Sequence, residues 1–182
     1  MLHSRALPVA FIALLILSHA AQADDLQPWT IAAPPALELP TLDGKVASLA
    51  ASHGHVVIVH FFATWCEPCQ SELRDLDRLQ DALQNTPLRV LAIDVGEPKA
   101  RTQRYFEASP VSFSVLLDLD KATTKAWGVD MLPTTFVLGP NLCPLWKVGG
   151  VVDWNAAALR SLLTSLPATS QAHTCQPTGE LR

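Results

Sequence analysis

The sequence predicts an α/β domain in which a central sheet is flanked by helices, and three observations carry that expectation. Val56–Phe62 is a nearly continuous apolar run, the pattern of a strand covered on both faces. Leu73, Leu76, Leu79 and Leu83 then recur at helical spacing among Arg74, Asp75, Asp77, Arg78 and Asp81. A second apolar run, Leu88–Val95, is followed by a helical stretch over Lys99–Ala108. This strand–helix–strand–helix order is the one found where helices pack on a parallel sheet.

The elements follow in order along 182 residues that carry 13 Lys and Arg against 17 Asp and Glu. Met1–Arg5 is basic, residues 6–17 are apolar, and Ala21-x-Ala23 is a small-residue cleavage signal, so residues 1–23 read as a secretory signal peptide. The apolar stretch is shorter than the roughly 20 residues a membrane span needs; an uncleaved anchor is the alternative. Export implies a periplasmic or otherwise extracytoplasmic location, soluble after cleavage, where disulfides persist. The net charge of −4 offers no basic surface for nucleic acid.

Residues 24–36 hold Pro28, Pro34 and Pro35 without periodicity and read as an extended lead-in to one domain over 37–166. Leu37–Leu39 and Val46–Leu49 flank the turn dipeptide Asp43-Gly44, which predicts a small hairpin. Beyond Ala108, residues 113–117 read as a strand and 120–127 as a helix stopped by Gly128. Residues 133–138 form a further strand, turned at Gly139-Pro140-Asn141 onto a hairpin partner over 145–152. Asp153 is placed to cap a last helix over 154–166, ended by Pro167. Residues 168–182 are polar and read, with Pro167, as an irregular tail.

The chemistry concentrates where the central strand passes into the helix, at Trp65-Cys66-Glu67-Pro68-Cys69. Two thiols separated by two residues at a helix start can close a small ring. The first lies near the positive helix end, which favours thiolate. Cys66 is therefore the expected nucleophile and Cys69 the resolving thiol. Half of many zinc sites has the same spacing. The further ligands such a site needs would have to come from Cys143, Cys175, His53, His55 or His173, among which only His53 and His55 are closely spaced. Those two read better as loop histidines. Trp127, Trp146 and Trp154 read as packing aromatics, whereas Trp65 is placed to cover the disulfide and meet a substrate.

With Asp43-Gly44-Lys45, residues 61–69, Asp94-Val95-Gly96-Glu97, residues 115–118 and Leu132-Pro133-Thr134-Thr135-Phe136 in this order, the chain resembles the TlpA/ResA family of extracytoplasmic thiol–disulfide oxidoreductases. The resemblance runs from about Pro34 to Leu166. It implies a thioredoxin-like fold, a central mixed β-sheet flanked by helices, with an N-terminal β-hairpin extension. It implies a cis Pro133 against the cysteine pair, and a Leu132 peptide free to pair with a substrate backbone.

Glu72 falls on a position where ResA-like members keep a glutamate beside the thiols. The expected role is a carboxylate of raised pKa that exchanges a proton with Cys69; complementing the helix dipole is the alternative. Glu67, between the thiols, opposes thiolate at Cys66 and makes the pair a better reductant. His60 stands where thioredoxins carry a buried aspartate. Protonated it would favour an oxidant, and neutral it could shuttle a proton; a buried, hydrogen-bonded histidine with a structural role is the alternative. In such a fold Cys143 and Cys175 fall at the pole remote from Cys66, where a structural disulfide is geometrically sensible, with free, oxidisable thiols as the alternative.

The family implies reduction of disulfides in exported cysteine-containing proteins, apocytochrome c among them. It implies recharging by a membrane thiol donor, a monomer, and no cofactor or metal beyond the redox-active Cys66–Cys69 pair. A thiol oxidase or isomerase, and a thioredoxin-fold copper chaperone for oxidase assembly, are the alternatives.

Overall fold

The computed structural model describes residues 26–166 and Cys175. The expected signal peptide and the tail other than Cys175 lie outside the described residues. The strands are β1 (Gln27–Pro28), β2 (Glu38–Pro40), β3 (Val46–Ser48), β4 (Val56–Phe62), β5 (Leu88–Val95), β6 (Ser114–Asp118), β7 (Thr134–Leu138) and β8 (Pro144–Gly149). The helices are α1 (Glu67–Ala82), α2 (Lys99–Ala108), α3 (Ala122–Ala126) and α4 (Ala157–Ser165).

Six strands make one mixed sheet in the order β1-β8-β7-β4-β5-β6, and β2 and β3 pair separately as the expected hairpin. β4 is central and wholly buried, with parallel β5 on one side and antiparallel β7 on the other. Alternation along β4 divides the core. Val56, Ile58 and Phe62 join one cluster with Leu73, Leu76 and Leu79 of α1, Phe106 of α2, and Leu159 and Leu163 of α4. Val57, Val59 and Phe61 face the other way, onto Leu37 and Leu49 around the hairpin, Trp127 and Phe136. Both faces are therefore sealed, which is why β4 is apolar throughout except for His60, itself completely buried.

Several boundaries differ from the sequence reading. The lead-in contributes β1, which pairs antiparallel with the outer edge of β8, and Trp29 beyond it packs on Trp127 and Phe136. At the opposite edge, Thr41 bridges to Leu116 of β6 and the Leu42 N–H donates to the Val115 carbonyl at 2.9 Å. Asp153 does not cap α4: its Oδ1 accepts from the Asn155 N–H at 3.0 Å inside a turn, and the helix begins at Ala157 with no side-chain cap. Trp154 is drawn out of helical register because its ring is completely buried in the core beside α1. α3 ends as expected at Gly128, whose φ of +61° and N–H to the Lys125 carbonyl, with Val129 N–H to Thr124, form a Schellman closure.

Candidate active site

Topology brings five loops to one pole. The parallel strands β4, β5 and β6 all end there, antiparallel β7 begins there, and β8 ends there because Gly149 lies opposite Thr134. That pole is also where the chain, having laid β5 and β6 to one side of β4, crosses to lay β7 on the other, the position at which open α/β sheets place their ligands. Residues 63–66, 96–97, 119–121, 131–133 and 150–156 therefore meet around the end of β4.

Cys66 is the N-cap of α1, with Pro68 in the first turn, and its sulfur accepts from the Cys69 N–H at 3.3 Å. The two cysteines are joined as a disulfide. Cys66 retains slight exposure whereas Cys69 is completely buried, so only the first of the pair is reachable from solvent. Trp65 beside it is 65% exposed, and Glu67 is exposed. The Leu132–Pro133 bond is cis, and Pro133 is buried at the same pole. The Thr134 hydroxyl donates to the Met131 carbonyl at 2.8 Å and the Gly150 N–H to the Pro133 carbonyl at 2.8 Å, fixing that turn.

Glu72 lies one turn beyond Cys69 on the buried face of α1. Its carboxyl is completely buried, and burial, helped by the nearby Asp75 charge, pushes its pKa up to about 7 against opposing hydrogen bonds from the Trp154 indole and the Val152 backbone. Oε1 accepts from the Trp154 indole N–H at 2.6 Å, whereas Oε2 has no partner among the described residues. His60 is on the same side of the sheet, completely buried, with Nδ1 2.9 Å from the Thr135 hydroxyl. Burial drives its pKa down to about 3, so the ring is neutral and adds no positive charge beneath the thiols.

Sequence reasoning missed two residues. Glu97, buried after β5, accepts from the Thr64 N–H at 2.5 Å and the Thr64 hydroxyl at 2.8 Å, and pairs with Arg101 at 3.4 Å. The Gln70 side chain donates to the Thr64 carbonyl at 2.6 Å, so every polar group of the residue two before Cys66 is engaged. Gly96 turns β5 into that acid with φ +74°, where a Cβ would strike the Lys121 side chain. An acid directly after a strand was the available signal for Glu97. The second missed residue is Trp154; a buried indole N–H needs an acceptor, but nothing local says which.

Cys143 and Cys175 are bonded to each other at the far pole, beyond the end of β7. They are thereby kept away from Cys66, as are His53 and His55, which precede β4.

A helix-capping disulfide beside a proline-led strand, on a mixed sheet of this order, defines a thioredoxin-fold protein with a redox-type cysteine pair. A family model described as AhpC/TSA matches residues 32–142, and the chain belongs to that family. It is 33% identical over 107 residues to the thiol–disulfide oxidoreductase ResA of Geobacillus thermodenitrificans, covering 59% of this chain and 62% of that protein. The ResA of Bacillus subtilis is 32% identical over 107 residues, covering 59% and 60%. The match thus spans about three fifths of the length of these relatives. Among solved structures, a candidate thiol:disulfide interchange protein DsbE from Chlorobium tepidum superposes with a TM-score of 0.70. It is 25% identical and covers 78% of this chain and all of that one.

Proposed function

We propose that this protein is an extracytoplasmic thiol–disulfide oxidoreductase that works as a reductant of disulfides in exported proteins. The observation that carries this reading is the Cys66–Cys69 pair capping α1, one sulfur accessible and the other buried beside Glu72. In the reduced protein, the Cys66 thiolate attacks one sulfur of a substrate disulfide, and the other substrate sulfur leaves as thiolate. Cys69 gives its proton to the Glu72 carboxylate and attacks the Cys66 sulfur, breaking the mixed disulfide and closing Cys66–Cys69. The substrate gains two electrons and the protein loses two. A carboxyl held at about 7 is partly ionised near neutrality and suits the acceptor role.

The apolar surface around Cys66 suits an unfolded or extended chain. Trp65, Met131 and Val151 are all more than half exposed at this pole, and the Leu132 peptide between them is offered to the substrate backbone. By likeness to the ResA proteins, apocytochrome c is the proposed substrate type and a membrane thiol donor the proposed source of electrons. Among the described residues no helix is long and apolar enough to cross a membrane.

Neutral His60 and acidic Glu67 both withhold positive charge from the Cys66 sulfur, which supports a reductant over an oxidant. Equilibration with glutathione or dithiothreitol buffers tests this. The Cys66–Cys69 potential is expected near the thioredoxin value of about −270 mV, and a value near the −120 mV or so of the oxidant DsbA overturns the direction. Cys66→Ser is expected to abolish disulfide reduction. Tight stoichiometric Cu(I) uptake lost in the same variant would favour a copper chaperone instead.

A further inference from the structure

The loop between β8 and α4 touches the site at three points. Its first residue, Gly150, donates to the Pro133 carbonyl at 2.8 Å. The Trp154 indole N–H donates to Glu72 Oε1 at 2.6 Å, and Asn155 Nδ2 donates to Asp75 Oδ1 at 3.0 Å, one helical turn further along α1. The loop is thus pinned to two successive turns of the helix that carries the thiols. Trp154 is completely buried in the apolar cluster that also holds Cys66 and Cys69.

An indole N–H can only donate. Its bond to an ionised carboxylate is stronger than its bond to a neutral acid, so it draws Glu72 toward the charged form while burial draws it toward the neutral one. Among the other charged groups of α1, Asp75, itself paired with Arg78, acts on Glu72 and raises its pKa further; Glu67, Arg74, Asp77 and Asp81 complete the charged residues of that helix. Asp153 in the loop and Arg160 on α4 are exposed, and His60 on β4 is buried. None of these donates to the carboxylate; the backbone N–H of Val152, in the same loop, is the other group that draws Glu72 toward the charged form, with a smaller effect than the indole.

We propose that Trp154 is a positioning residue for disulfide exchange: its indole N–H holds the Glu72 carboxylate in place beside the dithiol turn and keeps the proton-accepting form available to Cys69. The inference rests on the reading of Glu72 as that acceptor. It also makes the loop a physical link between the proton acceptor and Pro133.

The test reads the resolution step alone. Reduced protein is mixed with 5,5′-dithiobis(2-nitrobenzoate), and the second release of thionitrobenzoate, as Cys69 attacks the Cys66 adduct, is timed across pH. In the parent this rate is expected to rise with a midpoint near 7. Glu72→Gln is expected to move the rise to the thiol's own titration, above about 8. Trp154→Phe, which keeps an aromatic ring but no donor, is expected to shift the midpoint upward by about one unit. That is about a tenfold slowing on the acid side, recovered at high pH.

A parent-like midpoint in Trp154→Phe, with the limb lost in Glu72→Gln, overturns the role of Trp154 and leaves that of Glu72 standing. A limb unchanged in Glu72→Gln overturns the acceptor reading and this inference with it. The parent protein supplies a second readout that survives any folding defect in the variant. The Trp154 indole N–H resonance of reduced protein is expected to titrate with the midpoint of the rate and to stop doing so in Glu72→Gln; a resonance flat through pH 7 overturns the proposal.

Discussion

His60 shows how one buried residue can be electrostatically silent. It is completely enclosed, bonded through Nδ1 to Thr135, and depressed by burial to about 3, against 6.5 for the free ring. Because the unfolded chain takes up this proton first, the stability it contributes is present above pH 6.5 and is lost as the pH falls toward 3. His60→Asn cannot titrate. The stability of the parent relative to His60→Asn is therefore expected to fall by about 1.4 kcal/mol per pH unit below 6.5, measured by urea denaturation of both proteins. A difference independent of pH would mean that the folded ring takes up its proton as readily as the unfolded one. At this scale the sequence was most informative where chemistry is local. Cys66, Cys69 and Glu72 share one helix, so spacing alone sets them on neighbouring turns. Glu97 and Trp154 were illegible because their partners, Thr64 and Glu72, lie 33 and 82 residues away. No window of sequence contains both ends of such bonds.

The elements that bear the site are held by each other as much as by their own propensity. The loop from β4 to α1 is short and is closed by one turn bond, from the Cys66 N–H to the Ala63 carbonyl at 3.1 Å, which leaves the Thr64 N–H and hydroxyl to partners outside the loop. Glu97 supplies what it lacks by accepting both donors of Thr64. Glu97→Ala strands a buried N–H and hydroxyl and is expected to cost roughly 1–3 kcal/mol. Loss of amide-exchange protection at Thr64 should accompany it, and Glu97→Gln, which keeps an acceptor, should cost less. Strong periodicity made β4, α1, β5 and α2 readable to within a residue or so at each end. The start of α4 was misread, since Asp153 followed by apolar residues looks like a cap until the Trp154 ring is seen to be claimed by the core. β1 was invisible because two residues carry no period at all.

At the scale of the molecule, the two disulfides divide the labour between poles. Cys143–Cys175 closes a separation of 32 residues at the end remote from the redox pair. In the chain-entropy account such a link stabilises the fold by roughly 3–4 kcal/mol. The double variant Cys143→Ser/Cys175→Ser is expected to unfold at correspondingly lower denaturant while its Cys66–Cys69 potential stays that of the parent. A shifted potential would show that the poles communicate. The strand–helix order pointed to parallel strands, and the mixed sheet came with the family resemblance; the way its margins are finished was in neither. An unpaired outermost strand is an invitation to another chain. Here one short stretch answers at both rims: β1 covers β8 on one side, and some dozen residues later Thr41 and Leu42 hook onto β6 on the other. The same stretch thus acts as a selvedge, stitching down part of each border of the fabric. For the proposed role of docking extended polypeptides around Cys66, such finished margins keep sticky cargo from adding to the sheet as a further strand.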